Sequence, residues 1–274
     1  MIIDGHIHIS EGPVDQQQLV ARMQAAGVDG GALFSLPPAT FVRLGQPHTF
    51  QERLDNLLAW VEGQPDLYPV MWIDPLEPDA IDQVSAASRG GVLGYKVICN
   101  HFYPREPAAL HVFQAIAQTG KPIFFHSGIL WDGQDSSRYN RPAEFEALLE
   151  LERVRFSLAH VSWPWCDEHI AVYGKLRHAA AHRPELAVEM FVDLTPGTPP
   201  IYRHEVLAKL FRVGYEVERN VFFGTDCSTG DYDANWAREW IERDNQIYRQ
   251  LDLTPKTMAG IYALNVKRFL AIAE

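Results

Sequence analysis

His6 and His8 stand one residue apart at the end of the run Ile2-Ile3-Asp4-Gly5-His6-Ile7-His8. In an extended strand, residues i and i+2 share a side, so the two imidazoles converge on one point and could begin a metal site. Further residues of ligating or acid–base type recur where later apolar runs end. Lys96 lies in Gly91-Val92-Leu93-Gly94-Tyr95-Lys96-Val97, His126 follows Pro122-Ile123-Phe124-Phe125, and His160 and Asp226 close two more runs. Placing such groups among apolar residues costs free energy unless a metal or a partner satisfies them.

The elements that must position these residues follow from the patterning. Strand-like runs fall near 1–8, 28–35, 68–73, 92–98, 122–127, 155–160, 187–193 and 221–226. Helical patterns fall between them, near 14–26, 50–63, 78–89, 106–119, 142–152, 166–182 and 201–213, with two more near 233–250 and 255–271. Gly27 and Gly120 stand where a helix end wants a left-handed residue, and Pro107 and Pro142 where a first turn tolerates a missing N–H. Eight strand–helix repeats predict a (β/α)8 TIM barrel of one domain over residues 1–274, because no linker or composition shift divides the chain. An open doubly wound sheet would want a glycine-rich phosphate loop after the first strand, and none is present. In a barrel the C-terminal ends of all strands meet at one mouth, which gathers the six polar residues. The 36–50 segment is the longest irregular stretch and is expected as a partial lid over that mouth.

A net charge of −11 argues against nucleic acid or an anionic membrane surface as the main partner. No apolar run spans a bilayer, and residues 1–9 read as a core strand rather than a signal peptide. Three widely spaced cysteines do not make a disulfide framework. The expectation is a cytoplasmic protein with a small-molecule substrate, a homo-oligomer remaining open.

Asp4-Gly5-His6-Ile7-His8, Phe125-His126-Ser127-Gly128, Leu158-Ala159-His160 and Phe223-Gly224-Thr225-Asp226 resemble the signature segments of the amidohydrolase superfamily, in its amidohydrolase-2 branch. The resemblance covers essentially the whole chain and extends to Asn265 near its end. It implies a divalent metal held by His6, His8 and Asp226, with His126 as a further ligand and His160 near the metal or the substrate. Imidazole and carboxylate suit Zn2+, with manganese or iron open; one ion is favoured over two. Water activated by such a metal reaches a pKa of about 7, and Asp226 would take its proton and return it to a leaving group. In the superfamily the strand that carries Lys96 can bear a carboxylated lysine bridging two metals. Lys96 is a metal ligand only if carboxylated; otherwise it contacts a substrate carboxylate or oxyanion, or pairs with a buried carboxylate.

The expected activity is a metal-dependent hydrolase of a lactone, amide or related bond in a small polar or carboxylated molecule. A non-oxidative decarboxylase or hydratase of the same superfamily is the alternative, and a non-catalytic barrel used as a binding module is the alternative from another class. Arg138 and Arg141 offer forks to a substrate carboxylate, against ion pairing within their loop. Trp131 and Trp163, with Trp165, offer a pocket wall, against simple loop packing. His101 lies near the mouth, where a lone loop histidine is usually just solvated. The faces taken by Glu189 and Asp193 stay undecided. Cys227 is read as buried rather than nucleophilic, for want of a histidine partner.

Overall fold

A computed structural model describes residues 1–41 and 46–272. Part of the expected 36–50 lid, residues 42–45, lies outside the described residues. Strands and helices alternate: β1 (Ile3–His8), α1 (Gln16–Ala25), β2 (Gly30–Phe34), α2 (Phe50–Val61), β3 (Leu67–Trp72), α3 (Ala80–Arg89), β4 (Gly94–Val97), α4 (Pro107–Gln118) and β5 (Ile123–Phe125). Then come β6 (Arg155–Leu158), α5 (Cys166–His182), β7 (Glu189–Asp193), α6 (Pro200–Arg212), β8 (Val221–Phe222), β9 (Cys227–Ser228), α7 (Ala234–Gln250), α8 (Pro255–Ala259) and α9 (Asn265–Phe269).

The strands form one parallel sheet in the order β8-β7-β6-β5-β4-β3-β2-β1-β9. Every pairing is parallel, and the strands are buried on both faces, as helices packed outside a curled sheet require. The fold is TIM-barrel-like. Where eight strands were expected, the last is split by Phe223–Asp226 into β8 beside β7 and β9 beside β1. Gly5 N donates to Phe223 O (2.9 Å) and Asp226 N to His6 O (3.0 Å), so hydrogen bonds continue along β1 through the interruption.

Four expected elements differ in detail. The helix foreseen at 142–152 is a 3-10 helix, Pro142–Glu150, burying Phe145 and Leu148; a spacing of three fits that tighter helix. Strands five and six stop at Phe125 and Leu158, leaving His126 and His160 just beyond their ends. The last helix is interrupted by a π-helical turn, Gly260–Leu264, followed by Asn265, whose Nδ2 donates to Glu218 O and Val221 O (2.8 and 2.7 Å). Asn265 thus ties the C-terminal segment to β8.

Aromatic rings fill the sheet interior beneath the mouth. Phe34, Phe124, Phe191 and Phe222 pack with Phe269 of α9, with Phe124 and Phe191 each 4.7 Å from Phe269 between ring centroids. Burying such a ring contributes about 1.5–3 kcal/mol. This apolar plug closes one end of the interior and leaves the other for polar groups. Among the described residues no helix is long and apolar enough to cross a membrane.

Candidate active site

His6 sits inside β1, 1% exposed, with its ring edge-on to Phe34 at 4.6 Å. Its Nδ1 donates to Asp193 Oδ2 at 2.7 Å. Asp193 accepts further bonds from Thr195 N (2.8 Å) and Thr195 Oγ1. A carboxylate accepting three donors has no hydrogen to give, so the His6 proton sits on Nδ1 and the Nε2 lone pair faces the mouth. Burial, with Lys96 nearby, holds His6 well below the ordinary histidine range, so it is neutral.

His160 reaches the same place from the turn Ala159–Ser162. Its Nδ1 donates to Pro196 O at 3.0 Å; a carbonyl only accepts, so here too Nε2 is left with a free lone pair. Asp226 enters from the bend between β8 and β9. Its Oδ1 lies 3.4 Å from His6 Nε2 and 3.3 Å from His8 Nε2. Burial alone would raise this carboxyl, but the His8 hydrogen bond and the His6 and His160 imidazoles outweigh it, so Asp226 stays ionised.

His6, His160 and Asp226 each present one ligating atom within 4.8 Å of the others. Two of those atoms are imidazole lone pairs and the third is a carboxylate oxygen. Three electron donors converging without a hydrogen among them fit a cation, and the nitrogen–oxygen mixture fits zinc. His8 adds a fourth nitrogen beside Asp226.

Lys96 is 1% exposed, with Nζ 3.5 Å from His6 Nε2 and 4.9 Å above the Phe34 ring. Burial pushes its amine down to about 8, against the pull of Asp193 and Asp226, so part of it is uncharged near neutral pH. His126 packs beside His160, ring centroids 5.0 Å apart, yet its Nε2 donates to Ile129 O (3.3 Å). It therefore stands outside the compact group of three.

Two glycines make room for this arrangement. A Cβ on Gly224 would come within 2.7 Å of His6 Cβ, and one on Gly197 within 2.6 Å of His160 Cβ. Behind His6, buried Asp4 accepts from His6 N (3.0 Å), Thr225 N (2.9 Å), Thr225 Oγ1 (2.5 Å) and Tyr232 OH (3.0 Å). It ties β1 to the bend that carries Asp226.

The group opens into a cavity of about 640 Å3. Its apolar lining includes Phe41, Trp72, Ile98, Leu130, Trp131 and Trp163. Of these, Trp131 is largely exposed and Trp163 partly buried. Arg138 and Arg141 do not line it. Arg138 pairs with Asp135 (2.9 Å) and stacks on Tyr139, while Arg141 pairs with Glu168 (2.5 Å) and lies over Trp165. Ion pairing, the plainer reading of each, is what the structure shows. His101 is 3.5 Å from Asp74 and lines a neighbouring depression, and Glu189 pairs with Arg268. Cys227 is buried, its thiol pushed up to about 11 by that burial.

Asp193 was left undecided by the sequence, although it ends an apolar strand just as Asp226 follows one. Its face could have been set from Phe191, two residues earlier, whose ring joins the interior plug.

The Amidohydrolase family model Amidohydro_2 matches residues 3–272. The chain belongs to the amidohydrolase family. No curated protein matches this amidohydrolase in sequence. Among solved structures it is similar to a zinc-bound amidohydrolase from Burkholderia multivorans, at 12% identity, TM-score 0.69 and full coverage (100%) of both chains. A probable 2-pyrone-4,6-dicarboxylic acid hydrolase from Acinetobacter baumannii shares 12% identity with TM-score 0.59 over 99% of each chain. A 2,6-dihydroxybenzoate decarboxylase shares 13% identity with TM-score 0.63, over 99% of this chain and 98% of that one. At such identities these likenesses show the fold.

Proposed function

We propose that this amidohydrolase is a metal-dependent hydrolase that cleaves a lactone, amide or related bond of a small polar or carboxylated molecule. The observation that carries the reading is the convergence of the His6 and His160 lone pairs on the ionised Asp226. His6, His8, His160 and Asp226 would hold a divalent metal, Zn2+ by donor type, with His126 adjoining. When bound, the metal supplies Lewis acidity, which polarises a carbonyl and makes water acidic near neutral pH. Asp226 takes a proton on a carboxylate oxygen and returns it to the leaving group. His160 Nε2, its tautomer fixed by the bond from Nδ1 to Pro196 O, has only a lone pair to offer, to the metal or to a hydrogen of the attacking water. Lys96 Nζ, deep beside His6, binds an oxyanion or carboxylate, while the aromatic lining excludes bulk water.

A lyase reading is favoured by one feature. The walls formed by Phe41, Trp72, Ile98 and Trp163 suit a flat ring, and the fold neighbours include a decarboxylase. The two chemistries separate by product. In a panel of lactones, amides and aromatic carboxylic acids assayed in 18O-labelled water, hydrolysis places 18O in the organic product, whereas decarboxylation releases CO2 and leaves the organic product unlabelled. Asp226→Asn is expected to lower turnover about 100- to 10,000-fold while metal remains measurable. Activity retained by that variant would remove the proton-transfer role.

A further inference from the structure

His160, Val161 and Ser162 hold φ angles of 61°, 45° and 53° in succession. Left-handed backbone is strained for an L-residue, and a β-branched valine is an outlier there. Three in a row persist only where the surroundings fix them. Part of the fixing is ordinary: Thr198 Oγ1 and Trp163 N both donate to His160 O (each 3.2 Å), and Trp165 N donates to Ser162 O (2.8 Å).

The rest is a buried chain of side chains. Ser127 Oγ donates to Ala159 O (2.6 Å), Ser162 Oγ donates to Ser127 Oγ (2.7 Å), and His169 Nδ1 lies 2.8 Å from Ser162 Oγ. Each hydroxyl has one hydrogen, and both are spent in the same direction. His169 must therefore be the donor, with its proton on Nδ1. All three residues are fully buried, and among the described residues His169 Nε2 has no partner. Burial pushes His169 down to about 3, so it stays neutral across the working range.

We propose that His169, through Ser162 and Ser127, is a positioning residue that fixes the strained turn and thereby aims His160 Nε2 at the metal centre. The chain starts on α5, crosses the turn, and ends on the residue after His126, so it locks the two histidine-bearing strand ends together. The inference rests on the metal reading of the site.

Co2+ added to the full-length, metal-stripped protein is the probe, because its visible absorption reports the ligand field. His169→Leu is expected to shift the Co2+ bands and to weaken Zn2+ binding about 10- to 100-fold. His169→Asn, whose amide nitrogen can donate where Nδ1 did, is expected to restore both. Ser162→Gly separates aim from stability. Relieved left-handed strain offsets the His169 Nδ1–H left without an acceptor, so its Tm is expected near wild type, yet its Co2+ bands shift as in His169→Leu. A Ser162→Gly protein with wild-type Co2+ bands and Zn2+ affinity would overturn the positioning role. So would failure of His169→Asn to restore the bands while the protein stays folded. If wild-type protein took up no Co2+ at all, the metal reading would fall and this inference with it.

Discussion

His6 reaches Asp226 from the middle of an extended strand, with Nδ1 donating to the carboxylate of Asp193. His160 reaches it from three left-handed residues, with Nδ1 donating to the neutral carbonyl of Pro196. Each leaves the same atom free toward the same carboxylate. The difference lies in charge and in backbone. A carboxylate behind an imidazole fixes its tautomer and makes the other nitrogen more basic, whereas a carbonyl fixes the tautomer with no full charge. A strand holds its side chain through the sheet ladder, while the turn depends on hydroxyls and an imidazole recruited from α5. Under the proposed metal reading, His6 is thus the firmly held ligand and His160 the adjustable one.

The comparison can be broken at the bonds that hold each histidine. Asp193→Asn keeps the shape and removes the charge behind His6. It is expected to weaken Zn2+ binding about 10- to 100-fold by metal titration. Thr198→Val, which removes one donor to the His160 carbonyl, is expected to change affinity much less. Equal losses from the two variants would erase the distinction between a firm and an adjustable side.

Acidification sharpens the comparison through stability rather than metal affinity. His169 titrates near 3 in the folded protein and near 6.5 when unfolded, so the unfolded chain binds more protons between those values. The stability this neutral ring contributes is present above about pH 6.5 and is lost as pH falls toward 3. The loss approaches about 1.4 kcal/mol per pH unit. Denaturant titrations of wild type and His169→Asn should show the wild-type curve falling more steeply with acid, by up to one proton. Parallel curves would mean that His169 is not held neutral.

The firm side was legible in the sequence because it is local. His6 and His8 alternate along one strand, and a two-residue period carries them to one face without knowledge of anything else; Asp4 falls behind His6 because the register of β1 shifts between Asp4 and Ile7. Asp226 was legible as a carboxylate closing an apolar run. The adjustable side was legible in identity but not in construction. His160 was expected at a strand end, yet the strand stops at Leu158 and the backbone turns left-handed, in residues that include a valine. Nothing in Leu158-Ala159-His160-Val161-Ser162 announces this, because the compensation comes from Ser127 and His169. Asp193 escaped assignment for a related reason: Glu189, Phe191 and Asp193 share one face of β7, and only the fold shows that this face, through Phe191, lines the interior. Arg141 was a substrate candidate because its partner, Glu168, lies 27 residues away and becomes a neighbour only in the fold. The sequence pattern foresaw the parallel sheet and its helices, but it could not place the interruption at Phe223–Asp226, which follows from how β1 meets both its neighbours.

Everything in this account depends on a cation between His6, His160 and Asp226. The direct measurement is anomalous diffraction at the zinc absorption edge from crystals of the zinc-loaded protein. The expected result is a peak within bonding distance of His6 Nε2 and Asp226. An ordered site with no anomalous peak there at saturating zinc would contradict it.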